Sequence, residues 1–288
     1  MESLEGQRDF QTDKAIVTLV TPGYERLLDQ LLGSLAAHGK CPAAVRFVFT
    51  VEPDSECEAV IGRHGATMIR CRRLGPRNQT LKAVLYSAAS VIEARQYLCL
   101  DADTLVLEEL GPLFECLEAL PPQSVLVAKD AFLRAGPLGD QLSRHYAGRD
   151  DDLSWLIGAL EDEANYPLVV NDGVFASSRR GLLALESLLR SWPNAIAWMD
   201  QLRDHGWRNQ FLFNLALARL RCGVELDETY NLQMHMHDVL WQQRREGKIR
   251  ATWRGRPVRV LHFCGWGREK YVRWRQGVTS GSADPGGP

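Results

Sequence analysis

Apolar and polar positions come in blocks along this chain, and the period of the blocks changes from two to nearly four and back. The runs "AIVTLV" (Ala15–Val20), "AVRFVFTV" (Ala44–Val51) and the shorter "ATMIRC" are rich in β-branched and aromatic residues, which predicts strands. Between the first two, "ERLLDQLLGSLAAHG" places its leucines at helical spacing and stops at Gly39. "QTLKAVLYSAASVIEA" has helical periodicity and leads into a strand at "QYLCLD". Further on, "EELGPLFECLEAL", "RGLLALESLLRSW" and "RNQFLFNLALARL" predict helices, while "SVLVA" and "VRVLHF" predict strands. "YPLVVNDGVFASS" reads as a strand pair, or as one bent strand broken at Asn171-Asp172-Gly173. The segment from Ala131 to Tyr166 is less regular and reads as an insertion or a lid. Alternating strands and helices predict an α/β protein with a mainly parallel sheet covered by helices on both faces.

One strand breaks the pattern in a way that points to chemistry. "YLCLDADTLVL" (Tyr97–Leu107) runs Asp101 and Asp103 into an otherwise apolar stretch. Burying an unpaired carboxylate costs several kcal/mol. In a parallel sheet, however, ligands bind beyond the carboxyl ends of the strands. Thr21-Pro22-Gly23 and Asp101-Ala102-Asp103 both fall there, so the acids belong to a functional edge. Two oxygen donors suit Mg²⁺ or Mn²⁺, and an imidazole ligand would tilt the choice to Mn²⁺. His262 closes the apolar "VRVLHF" and is the candidate third ligand. The alternating His235, Met236, His237 and Asp238 has no comparable support and reads as structural.

Composition bounds the rest. With 288 residues and 45% hydrophobic content, the chain is long enough to bury a sizeable core. No stretch reaches the roughly 18 to 20 apolar residues of a membrane span, and "MESLEGQRDF" lacks a signal-peptide pattern. Seven cysteines without a C-x-x-C pair fit reduced thiols, and the expectation is a cytoplasmic protein. The expected layout is a leader over 1–13, one domain over 14–276 and a disordered Gly-, Ser- and Pro-rich tail over 277–288. The net charge of −2 conceals an asymmetry, because residues 241–275 hold 11 Lys and Arg against Glu246 and Glu269. Four of the eight tryptophans, Trp241, Trp253, Trp266 and Trp274, share that segment. No nucleic-acid motif accompanies them, so nucleic acid is not an expected partner. Peripheral contact with an anionic membrane through this segment is a hypothesis.

Six landmarks in order, from about Ala15 to Trp274, give the chain a family resemblance. "AIVTLVTPGY" comes first, followed by "TLKAVLYSAA" before "YLCLDADTLVLEELGPLF", then "VVNDGVF", "RNQFLFNLA", "ELDETYNLQ" and "VLHFCGWGREKYVRW". Together they resemble the glycogenin-like and bacterial lipopolysaccharide-galactosyltransferase-like family of retaining glycosyltransferases, which have the GT-A nucleotide-diphospho-sugar transferase fold. The resemblance implies transfer of a sugar from a nucleotide donor, in this family a UDP-sugar, with Mn²⁺ or Mg²⁺ held by Asp101, Asp103 and His262. It implies donor contacts from Thr18, Thr21, Tyr24, Lys82, Asp101, Ala102, Asp130, Asn171, Gly173, Gly265, Arg268 and Lys270. Gln210, Asn209, Asp172 and Lys82 are the implied catalytic positions. The acceptor is left open among a glycan, a lipid-linked glycan, a natural product and a protein.

The chain departs from the family at two landmarks. Asn209 precedes Gln210 where the family commonly has Asp, so a carboxylate near the reacting face is missing, with Asp172 or Asp204 as the residues able to replace it. "REKYVRW" stands where the family has Lys-Pro-Trp, which puts Arg268 at the lysine position with Lys270 two residues on. Two other readings remain. A transferase-like protein that binds nucleotide sugars without turnover is consistent with Asn209. "LCLDADTLV" is also similar to the haloacid-dehalogenase phosphatase opening, although Leu105 stands where that motif carries Thr or Val and three predicted strands precede it.

Overall fold

The computed structural model describes residues 10–71, 82–131, 137–140, 163–192, 208–234, 240–243 and 249–264. Asp204, residues 235–238, Gly265, Arg268, Lys270, most of 131–166 and the 277–288 tail lie outside the described residues.

The amino-terminal part follows the predicted order. Strand β1 (Phe10–Val20), helix α1 (Glu25–His38), β2 (Ala44–Val51), helix α2 (Ser55–Arg63) and β3 (Thr67–Cys71) build three parallel strands. β1 begins four residues inside the expected leader, where the Phe10 ring sits 5.4 Å edge-on to Phe47. Helix α2 is an addition to the sequence reading. Its first turn is capped by the Asp54 carboxylate, which accepts from Cys57 N at 2.8 Å.

The helix expected over "QTLKAVLYSAASVIEA" is cut short. Among the described residues α3 covers only Ala83–Tyr86, a 3-10 turn follows at Ala88–Ser90, and β4 already begins at Ile92. Ile92, Ala94 and Gln96 are buried while Glu93 and Arg95 between them are exposed, and pairing with β1 overrides helical propensity. β4 (Ile92–Leu100) ends before the first aspartate, and β5 (Thr104–Val106) starts after the second.

After α4 (Gly111–Glu118) come β6 (Val125–Lys129) and β7 (Val170–Ser178). β7 passes unbroken through Asn171-Asp172-Gly173; the irregularity lies instead in its pairing with β6, between Val127 and Lys129. Helices α5 (Arg179–Ser191) and α6 (Arg208–Leu220) precede β8 (Gly223–Leu226), β9 (Leu232–Gln233), β10 (Leu240–Gln243), β11 (Ile249–Trp253), β12 (Arg256–Pro257) and β13 (Val260–His262).

The main sheet has seven strands in the order β3-β2-β1-β4-β7-β6-β8. All its pairings are parallel except those of β7, which runs antiparallel to both neighbours. Alternate side chains of each strand divide the core in two. Val17, Phe49, Tyr97, Cys99 and Phe175 pack on the side of α3, α5 and α6. Ile16, Val48, Leu98, Leu100 and Val174 pack on the side of α1, α2 and α4. A second sheet, β5-β13-β9, lies at the carboxyl end of β4 over its own cluster of Leu105, Leu107, Leu232 and Leu261. This small sheet positions the site. Among the described residues, no helix is long and apolar enough to cross a membrane.

Candidate active site

The acids stand where β4 hands over to β5, and the backbone there is held from two sides. Asp101 N donates to Gly173 O of β7 at 2.8 Å, and Phe263 N, just past β13, donates to Asp103 O at 2.9 Å. Thr104 Oγ1 closes the turn by donating to Asp101 O at 2.7 Å. β13 pairs with β5 so that His262 stands opposite Thr104, which delivers the imidazole to the acids. His262 Nε2 lies 3.3 Å from Asp103 Oδ1 and 3.6 Å from Asp101 Oδ2. One ligand atom from each of the three residues falls within 4.8 Å of the others.

The far side of the imidazole decides its chemistry. His262 Nδ1 is 3.0 Å from Asn231 Oδ1, and Asn231 spends its own Nδ2 on Asn171 O and Asn171 Oδ1. With Nδ1 donating, Nε2 offers a lone pair towards the carboxylates, as a metal-binding histidine needs. Gly173 makes room for the ring. A Cβ there would lie 2.1 Å from His262 Cε1 and 2.3 Å from its Nδ1. Two carboxylate oxygens and a neutral imidazole are thus a fitting donor set for Mn²⁺ or Mg²⁺.

A polar network spreads from this cluster under the sheet edge. Lys82, 8% exposed, donates to Asp101 Oδ2 at 2.7 Å and pairs with Asp172 Oδ1 at 2.9 Å. Asp172 Oδ2 also accepts from Tyr86 Oη at 3.0 Å and from Asn209 Nδ2 at 2.6 Å. Beside it, Gln210 Nε2 donates to Asp130 Oδ2 at 2.6 Å, and Asn171 Nδ2 donates to Gln210 Oε1 at 3.0 Å.

Burial and charge set the protonation. Burial pushes the Asp101 carboxyl up to about 6 against the pull of Lys82. Burial would raise Asp103 too, but the adjacent His262 more than offsets it and holds Asp103 below the usual carboxylate range. Burial opposes charge on His262, and Asp103 overcomes this, so its pKa is raised. Lys82 is likewise raised despite burial, because Asp101 and Asp172 both face it.

Ten of the residues singled out from the sequence therefore meet in one connected site: Lys82, Asp101, Asp103, Asp130, Asn171, Asp172, Gly173, Asn209, Gln210 and His262. Thr18, Thr21, Tyr24 and Ala102 share the sheet edge. Val17 pairs with Cys99, so the ends of β1 and β4 lie side by side. There Gly23 takes a φ of +88°, and Thr18 Oγ1 is buried without a hydrogen-bond partner. Two participants were not singled out in the sequence, Tyr86 and Asn231. Asn231 has a signal, since it lies in the "ELDETYNLQ" landmark, whereas Tyr86 reads as one more apolar-face residue of a helix.

The fold and this edge define a class: the chain has the GT-A fold of nucleotide-sugar transferases, a mixed sheet between helices with an acid pair at its carboxyl edge. Several solved structures share that fold. The galactosyltransferase LgtC, solved in complex with donor and acceptor sugar analogs, superimposes at a TM-score of 0.57 with 16% identity, covering 95% of this chain and 97% of its own. The bifunctional glycosyltransferase WbbM gives 0.61 at 12% identity over 95% of this chain and 50% of its own. The glycosyltransferase GlyE of Streptococcus pneumoniae TIGR4 gives 0.56 at 17% identity over 92% of this chain and 60% of its own. No protein-family profile and no curated protein sequence matches the chain.

Proposed function

We propose that this chain is a metal-dependent glycosyltransferase that moves a sugar from a nucleotide donor, a UDP-sugar with Mn²⁺, to a glycan or other hydroxyl-bearing acceptor, with retention at the anomeric carbon. The observation that carries the reading is the Asp101, Asp103 and His262 cluster at the carboxyl edge of a GT-A sheet, with its imidazole tautomer held by Asn231. A divalent cation held by these three would act as a Lewis acid on the pyrophosphate leaving group. Lys82 keeps a positive charge beside them, and Asp130, Asn171 and Gln210 form a prearranged set of hydrogen-bonding groups suited to sugar hydroxyls. Gln210 is the neutral side chain proposed at the reacting face, and Arg268 or Lys270 would complete the phosphate clamp. Catalysis here consists of orientation and electrostatics, with the departing phosphate assisting attack from its own face.

A second reading, binding without turnover, is favoured by Asn209, which cannot act as a carboxylate nucleophile. The phosphatase reading has no support in a fold shared with glycosyltransferases. The test is thermal unfolding with UDP, GDP, TDP and CMP, each with Mn²⁺, Mg²⁺ or EDTA, beside Asp103→Ala. A ligand at about 100 times its dissociation constant adds about 2.7 kcal/mol. UDP with Mn²⁺ is expected to stabilise the parent and not the variant. No response to any nucleotide–metal pair would reject the reading, and binding without UDP release from any UDP-sugar would leave the non-catalytic one.

A further inference from the structure

Asp172 is 4% exposed, and its carboxylate accepts from three donors. Lys82 Nζ meets Oδ1, and Tyr86 Oη and Asn209 Nδ2 meet Oδ2. Asn209 turns its amide nitrogen to this oxygen because a carboxylate has no proton to give. An acid at position 209 would instead set two carboxylates in contact at the 2.6 Å now spanned by the hydrogen bond. Lys82 could not neutralise both, since it is already shared with Asp101. The two positions accept one carboxylate and one amide between them. Asn209 stands before Gln210, and the carboxylate it meets belongs to Asp172 on β7.

We propose that positions 172 and 209 form a complementary carboxylate–amide pair, in which Asp172 supplies the negative charge of the reacting face and Asn209 is the residue that positions it. Among the described residues, these three donors leave one of the carboxylate's roughly four acceptor sites open, on Oδ1. A hydroxyl of the donor sugar is the group that would fill it. The sugar contact rests on the glycosyl-transfer reading above, whereas the pairing does not.

A four-protein cycle tests both parts: the parent, Asp172→Asn, Asn209→Asp, and the two changes combined. Melting temperature in EDTA, the affinity for UDP with Mn²⁺, and UDP release from a panel of UDP-sugars are measured for each. Each single change is expected to lower melting temperature and turnover. The exchange restores most of both, with turnover about tenfold or more above the product of the single effects. It can do so because an amide at 172 keeps its oxygen towards Lys82 and turns its nitrogen to the new carboxylate at 209, reversing that hydrogen bond, with the Tyr86 hydroxyl changing from donor to acceptor. Single effects that simply add in melting temperature and multiply in turnover would overturn the pairing. Recovered melting and UDP affinity, with turnover no better than the worse single variant, would make the pair structural and overturn the reacting-face role. If the parent itself ignores UDP with Mn²⁺, the transferase reading and the sugar contact fall together, and the melting cycle still decides the pairing.

Discussion

Gly173 and Lys82 show how much of this site depends on single atoms. Gly173→Ala drives a methyl group into the imidazole of His262. It is expected to cost about 1–3 kcal/mol of stability in denaturant unfolding and to abolish the UDP response to Mn²⁺. Lys82→Ala leaves Asp101 and Asp172 facing each other without a counter-charge. About 3–5 kcal/mol should be lost in EDTA, with part recovered on adding Mn²⁺; an unchanged melting temperature would contradict the buried pairing. Acidity gives a third expectation at this scale. Asp101, held up to about 6 mainly by burial, and His262, raised beside Asp103, must both shed protons to serve as ligands. Apparent Mn²⁺ affinity should therefore fall by about tenfold or more from about pH 7 to about pH 5, because protonation competes for the ligand atoms. A titration flat over that window would mean that the two groups are already deprotonated. The candidate ligands at 101 and 103 were legible as residues because acids inside an apolar run demand an explanation. Asn231 and Tyr86 were harder to find, since a hydrogen bond to another side chain leaves no periodicity in sequence.

Elements show where a local pattern is enough and where it is not. α1, α5 and α6 follow from leucine spacing, because a helix that covers a sheet needs one apolar stripe. α2 also had its signals, Asp54 as a cap and Cys57, Val60 and Ile61 at helical spacing, but its nine residues sit between two strong strands. Asp54→Ala should cost about 0.5–2 kcal/mol in unfolding and leave the UDP and Mn²⁺ response intact, because α2 packs away from the site. A lost response would imply that α2 reaches the acid edge. The direction of β7 was not legible at all. Period-two burial is the same in parallel and antiparallel strands, so a strand that reverses between two parallel sets reads like its neighbours. That reversal matters for the site. It puts the Asn171-Asp172-Gly173 start of β7 beside the carboxyl end of β4, where Asp101 N reaches Gly173 O.

Across the whole molecule, the strand–helix alternation was enough to place an acid pair at a sheet edge, since ligand sites in such sheets follow from topology. It could not foresee the small β5-β13-β9 sheet, whose strands are two or three residues long and come from distant parts of the chain. No window along the sequence contains it. Yet that sheet brings His262 to acids at 101 and 103. A nascent chain leaving the ribosome carries both aspartates early, but lacks the imidazole and the strand that presents it until β13 has been made and docked. Tight capture of an ion at this cluster would thus be deferred until almost all of the core has been synthesised. An unfinished chain would hold acids without a grip, and a bound cation would report completion.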